Sequence, residues 1–217
     1  MVENHLFLRI SGVIYLALGT NVLLAIASLP LLVVSATLSP AEGLLPYALA
    51  SAAAVPGVMA AFAAFRSYSD EGSVSVVRSF LSAWWAHLPT SLPIGAALTV
   101  LVSVLAVDIV WASGSRVGAV AIPVLVAAII GAVAVALGVL TGRLDRPDAS
   151  LRSLAKASVY LMARRWYLTL ASVGGLLALG AIVATQPVLG LGVAAAPLLY
   201  LVWANTRYSL QPILRKA

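Results

Sequence analysis

Apolar residues run along this chain in six long blocks. Between them lie short polar breaks and two longer stretches in which apolar positions recur at helical spacing. The blocks cover approximately 12–36, 44–65, 93–111, 117–140, 167–184 and 188–205. Each lies near the roughly 20 residues that a helix needs to cross a bilayer at about 1.5 Å per residue. Strands of a membrane barrel would instead alternate apolar and polar over roughly ten residues. The pattern predicts an all-α fold: one polytopic membrane bundle over 1–217, with six transmembrane helices and two amphipathic helices. Ala25-Ile26-Ala27 looks like a signal-peptidase site, but the apolar run continues past it and the preceding segment is not strongly basic. Pro30 falls inside the first block and is expected to kink or end its regular part.

The two longer stretches are read as amphipathic helices. In 73–88, Ser73 is the cap candidate, and Val77, Phe80, Leu81, Trp84 and Leu88 recur at the spacing of one helix face. Pro89 and Pro93 are expected to separate this helix from the third span. In the second stretch Leu151, Leu154, Ser158 and Leu161 trace a weaker stripe. There Asp148 is a cap candidate and an i,i+4 partner for Arg152. A shift of 74 residues superposes Arg78-Ser79 on Arg152-Ser153 and Ala83 on Ala157, which suggests a duplicated unit of span, amphipathic helix and span. Two readings of these helices stand. They lie in the headgroup layer as lipid anchors, or they dock another protein through the stripe.

Composition agrees with a lipid-solvated surface. Hydrophobic residues make up 62% and charged residues 9%, with a mean hydropathy of +1.06, where a soluble domain carries roughly 25% charge. The distribution of basic residues sets the orientation. Twelve of the 13 Lys and Arg lie before the first block, after the sixth, or in the connections after the second and fourth. Only Arg116 falls on the other side. The positive-inside rule then places both termini in the cytoplasm, and it accounts for the net charge of +6 without nucleic acid. The inner connections are long, about 27 and 26 residues, and the outer ones short.

Candidate chemistry is sparse. There is no cysteine, and His5 and His87 have no metal-ligand spacing to other residues. No phosphate loop, dinucleotide fingerprint, zinc-protease motif or nucleophile elbow is present. No catalytic residue, cofactor or metal is therefore expected, and the chain reads as a non-enzyme. Two polar residues lie at membrane depth. Asn21 is expected to bond a neighbouring helix, with contact to a solute as the alternative. Asp108, three residues before Trp111, is read as an outer-interface residue in reach of water or Arg116, with a proton or solute role as the alternative. Gly131, Gly138, Gly174, Gly175 and Gly180 are read as close-packing positions.

Several short motifs give the chain a resemblance. They are Asn21-Val22-Leu23-Leu24 leading to Ser28-Leu29-Pro30, Pro56-Gly57, the run Ala60-Ala61-Phe62-Ala63-Ala64-Phe65-Arg66, and Glu71-Gly72 followed by Val77, Arg78 and Phe80. Ala106-Val107-Asp108 closes the third span. Together they resemble the YesL-like family of bacterial integral membrane proteins, grouped under a domain of unknown function. The resemblance implies a protein of the bacterial cytoplasmic membrane, accessory to a carbohydrate ABC importer, whose partners besides lipid are permease or ATPase subunits. Gly72, Phe80, Leu88-Pro89 and Pro93 are also similar to the permease loop that docks into an importer ATPase. Val77, Phe80, Leu81, Trp84 and Leu88 are then the docking candidates. A self-sufficient small-solute transporter or channel, and a structural or stress-related membrane protein, are the competing readings.

Overall fold

The computed structural model describes residues 2–39, 43–72 and 75–214, with side chains described from 11 to 213. Every regular element among them is helical. They are α1 (Val2–Ala27), α2 (Leu29–Thr37), α3 (Leu44–Glu71), α4 (Val76–Ala112), α5 (Gly118–Asp145), α6 (Leu151–Arg164) and α7 (Trp166–Thr185). A short α8 (Pro187–Leu189), a π-helical turn (Gly190–Ala194) and α9 (Ala195–Leu214) follow. Five helices are long and apolar enough to cross a membrane, and α1 with α2, bent by 60°, makes a sixth span if the pair counts as one. The expected polytopic bundle is therefore present.

The bend follows from local sequence. Pro30 sits in the first turn of α2, where its missing N–H is no loss, and the bend falls at Ser28 just before it. α3 forms the centre of the bundle. Its most apolar window is 56% buried, against 6% for α4 and 11% for α5, and Met59, Ala60, Ala61, Phe62, Ala64 and Phe65 are at most 1% exposed. A helix that is apolar all round and built of small residues is suited to being surrounded by other helices. α1, α4, α5 and α9 pack around it.

The expected inner loop after the second span is not a loop. α3 runs on to Glu71, where Gly72 adopts a left-handed φ of 73° and its N–H bonds the Tyr68 carbonyl at 2.9 Å, a glycine-terminated helix end. α4 starts at Val76 and continues unbroken for 37 residues through Pro89 and Pro93. The separate amphipathic helix 73–88 is thus corrected: residues 76–88 are the first third of the continuous α4, and Ser73 lies outside the described residues. Prolines are tolerated in such helices because the packed surroundings compensate the lost bond. At about 1.5 Å per residue α4 is roughly 55 Å long and outreaches a ~30 Å hydrocarbon core.

The second amphipathic helix is real and packs on its own bundle. Its cap is Ser150, whose hydroxyl accepts from the Ser153 N–H at 3.2 Å, not Asp148. No Asp148–Arg152 ion pair forms among the described residues. Leu154, Ser158, Leu161 and Met162 are buried, while Leu151 is exposed. The seat of α6 is a pair of glycines one turn apart on α5. A Cβ on Gly138 would stand 2.4 Å from Ser158 Oγ, and one on Gly142 would stand 2.9 Å from Leu154 Cδ2. Gly175 touches Val202 at an ordinary distance, but Gly131, Gly174 and Gly180 have nothing within 4 Å, so these three do not serve close packing. The suggested duplication also weakens here, since α6 and α7 are separate helices meeting at Arg165, whereas α4 is continuous.

Candidate functional site

Two sites draw distant parts of the chain together. The first centres on Asn21, 1% exposed in α1. Its Nδ2 donates to the Gly192 carbonyl at 2.9 Å and its Oδ1 accepts from the Ala196 N–H at 2.6 Å. In an α-helix that N–H would bond that carbonyl directly, four residues back. The amide of Asn21 is inserted into the ladder and joins both ends of the opened bond, which is what sustains the π turn Gly190–Ala194. The expected helix-to-helix bond of Asn21 is present. Gly190-Leu191-Gly192 reads as ordinary apolar span, and the local signal for an interruption is Pro197, which has no N–H to offer the Val193 carbonyl four residues back.

The second site is ionic and lies at the end of the bundle where α3, α5 and α9 finish. Arg66 on α3 places Nε 3.1 Å from Asp145 Oδ1 and 3.6 Å from Asp70 Oδ2. Another guanidinium nitrogen, Nη1, donates to the Leu144 carbonyl. Arg207 on α9 grips Asp70 with both terminal nitrogens at 3.1 and 3.4 Å, and its Nε lies 3.3 Å from Asp145 Oδ2. Two cations and two anions alternate, so the cluster has no net charge. Asp145 is the most enclosed, its side chain 9% exposed. Its Oδ2 is buried without a well-aligned donor despite the nearby Arg207. Below the cluster Phe65, Tyr200 and Trp203 stack with ring centroids 5.4–6.2 Å apart, and the Arg207 guanidinium lies 5.3 Å over Trp203.

An open cleft of about 600 Å³ runs along this flank. Arg66, Asp145 and Arg207 line it, with Tyr200, Trp203, Ala204, Tyr208 and Gln211 along α9. Arg165 joins from the α6–α7 break, bonding the Tyr208 carbonyl at 2.7 Å with its guanidinium 4.6 Å over the Tyr208 ring. Arg146 reaches the Ile213 carbonyl at 3.2 Å. Sequence reading treats Arg207 only as an orientation signal and Arg66 as that and the end of a resemblance motif, and it passes over Asp145, Tyr200 and Trp203. The available signal was an acid or base one turn beyond the apolar run in three different spans.

The docking stripe is split between two environments. Phe80 is 2% exposed, packed in the core beside Val76, so it faces the bundle and not a partner. Trp84 and Leu88 are half-buried. Val77 and Leu81 are exposed, and the outward row continues to Trp85, 66% exposed, whose ring meets Trp84 edge-on at 4.8 Å. The resemblance to an importer docking loop therefore fails at Phe80, because α4 turns that residue onto its own core. Asp108 is exposed near the far end of α4 and makes no ion pair with Arg116 among the described residues. Of the two alternatives, water or Arg116, the pair with Arg116 is not formed among the described residues and the side chain is exposed. Thr20, Thr141 and Ser158 bury hydroxyls, and Trp84 its indole N–H, without hydrogen-bond partners among the described residues. No protein family, curated protein or solved structure matches the chain.

Proposed function

We propose that the chain is a non-enzymatic protein of the bacterial cytoplasmic membrane, with both termini inside, acting as an accessory subunit or modulator of a carbohydrate ABC importer. The supporting observation is the outward row Val77, Leu81 and Trp85, which are 49%, 44% and 66% exposed. The row lies in the first turns of α4, at the end of the bundle where α3 finishes. An apolar row at i, i+4 and i+8 is the surface that a helix presents to a groove in another protein. The YesL-like resemblance supplies the partner class, a permease or ATPase subunit. Arg66, Arg143, Arg146, Arg165 and Arg207 make contacts at the same end of the bundle, and the positive-inside rule assigns that end to the cytoplasm.

The test is purification from native membranes of the unmodified chain and of Leu81→Ala with Trp85→Ala. A docked aromatic anchor is worth more than about 2 kcal/mol, so the double variant is expected to hold its partner roughly thirtyfold more weakly. Insertion and stability should stay unchanged, since neither side chain is in the core. Recovery of no importer subunit, or full retention by the double variant, overturns the reading.

One observation favours a self-sufficient transporter instead. Two spans are interrupted, one at Ser28 between α1 and α2 and one at the π turn before α9, and Asn21, about two turns before the first break, bonds the second. Broken spans are where transporters place their sites. Solute flux by the purified chain in vesicles, with no partner present, would select this reading.

A further inference from the structure

We propose that the groove between α4 and α5 seats an acyl chain of an anionic phospholipid whose phosphate is held by Arg152 and Lys156 on α6. The groove has a volume of about 500 Å³, in the range of ligand pockets, ~300–1,000 Å³. Every side chain that lines it is apolar. Ala128, Gly131 and Ala132 keep it open on the α5 side, and a Cβ on Gly131 would meet nothing within 4 Å. α4 and α5 are consecutive long helices joined by a short connection and packed side by side, so they run antiparallel. Ile94 on α4 and Val139 on α5 therefore mark the same end of the groove. α6 sits at that end: it rests on Gly138 and Gly142, on either side of Val139, and adds Leu151 and Ala155 to the wall.

Arg152 and Lys156 each follow one of these two α6 residues by one position, so they form the adjoining row of the helix. Both are exposed, and neither makes an ion pair or a hydrogen bond among the described residues. Their long stems can lie along the apolar rim while the charged ends reach the headgroups. The segment 143–156 holds four basic residues and two acidic ones. Asp145 is already engaged by Arg66 and Arg207. The excess is positive, which favours an anionic headgroup. A polar solute would find no side chain in the groove to bond. A second copy of the chain fits less well, since two-fold pairing sets the same surface of both copies together and would bring the two basic rows to one depth. A lipid supplies an apolar chain for the groove and an anion for the bases in one molecule.

The experiment measures binding to the purified full chain by native mass spectrometry. The probes are phosphatidylglycerol, phosphatidylcholine and soluble glycerophosphoglycerol. Phosphatidylcholine carries the same phosphate but sets a cation of its own against the two bases. The expected result is a preference of about tenfold for phosphatidylglycerol over phosphatidylcholine, and weak binding of the soluble probe, which has no acyl chain. Arg152→Gln with Lys156→Gln should abolish the preference. Gly131→Leu fills the groove without changing a charge and should weaken phosphatidylglycerol by about tenfold. The two bases are exposed and Gly131 has open space around it, so these variants should fold as the parent does. Arg78→Gln, at the start of α4, is the control for diffuse surface attraction and should keep the preference. Equal binding of the two lipids overturns the proposal. So does glycerophosphoglycerol binding as tight as the lipid, a Gly131→Leu variant that binds normally, or an equal loss of preference in Arg78→Gln. A dimer of the chain that Gly131→Leu dissolves would also overturn it, by assigning the groove to a second copy.

Discussion

Asn21 and Ala196 are 175 residues apart in sequence, yet the Asn21 carboxamide accepts the Ala196 N–H at 2.6 Å while donating to Gly192. The side chain acts as a guest peptide group in another helix. Removing it leaves the buried Ala196 N–H and the part-buried Gly192 carbonyl without this partner, or lets them pair with each other and close the π turn. Closure would rotate everything after it by roughly 100°, one residue of a helix with about 3.6 residues per turn. Tyr200, Trp203 and Arg207 would then leave their places. Either route costs about 1–3 kcal/mol. Asn21→Leu is therefore expected to lower the unfolding free energy in mixed micelles by that amount. Asn21→Asp should do the same by turning a carboxylate oxygen toward the Gly192 carbonyl. A loss below about 0.5 kcal/mol would show that these bonds do not hold the turn.

Asp145 holds two arginines at once. Asp145→Ala leaves both with Asp70 as their one acidic partner among the described residues, and removing one member of an enclosed ion pair costs up to about 3–5 kcal/mol. Both arginines keep some solvent contact, so the expected loss is nearer about 2 kcal/mol after screening. A cycle with Arg207→Ala should show the two losses to be strongly non-additive. Additive losses would mean that the residues act independently.

Gly138 is where α6 sits closest to α5. A methyl group there meets both Ser158 Oγ, at 2.4 Å, and Met162 Cε, at 2.7 Å. Gly138→Ala is expected to cost about 1–3 kcal/mol by overpacking, and Ser158→Gly in the same chain should recover much of it. Gly131→Ala, with open space around it, serves as the control and should be nearly neutral. Limited proteolysis near Pro147 reads the loosening of α6 directly.

Single cysteines test the orientation, since the chain has none of its own. Ser115 and Asp148 are exposed at opposite ends of the bundle, and Asp148 is preferable to Ser150, which caps α6. A membrane-impermeant thiol reagent added outside should label Ser115→Cys and spare Asp148→Cys. The reverse pattern would invert the topology. Asp108→Asn should meanwhile leave folding within about 0.5 kcal/mol of the parent, as for surface changes generally.

The spans were legible because lipid imposes a length and a composition on any helix that crosses it. The bend before Pro30 and the stop at Gly72 were legible because proline and glycine act locally. Phe80 shows what was not legible. Its stripe of Val77, Phe80, Leu81, Trp84 and Leu88 satisfies a helical period, but in a membrane protein apolar residues face lipid and core alike, so period alone does not say which way a face turns. Gly138 and Gly131 look the same in sequence, and only one has a helix against it. The Arg66–Asp70–Asp145–Arg207 cluster was hidden for another reason: Arg66 and Asp70 form a local i,i+4 pair, but Asp145 and Arg207 come from two other helices, and nothing local marks them as partners.

The central place of α3 has a consequence for how the protein is made. α3 enters the bilayer early in synthesis, with α1 and α2 ahead of it, but α4, α5 and α9, which also cover it, are downstream. Arg207 reaches Asp70 from 137 residues further along the chain, and the rings that cover Phe65 also belong to α9. Until α9 has been inserted, the face of α3 that it covers is left to lipid, and Asp70 and Asp145 have only Arg66 of the cluster as a basic partner. A ribosome paused before α9 would therefore present a chain with its spans in place and its middle still open, which is the form that membrane quality-control proteases would meet first.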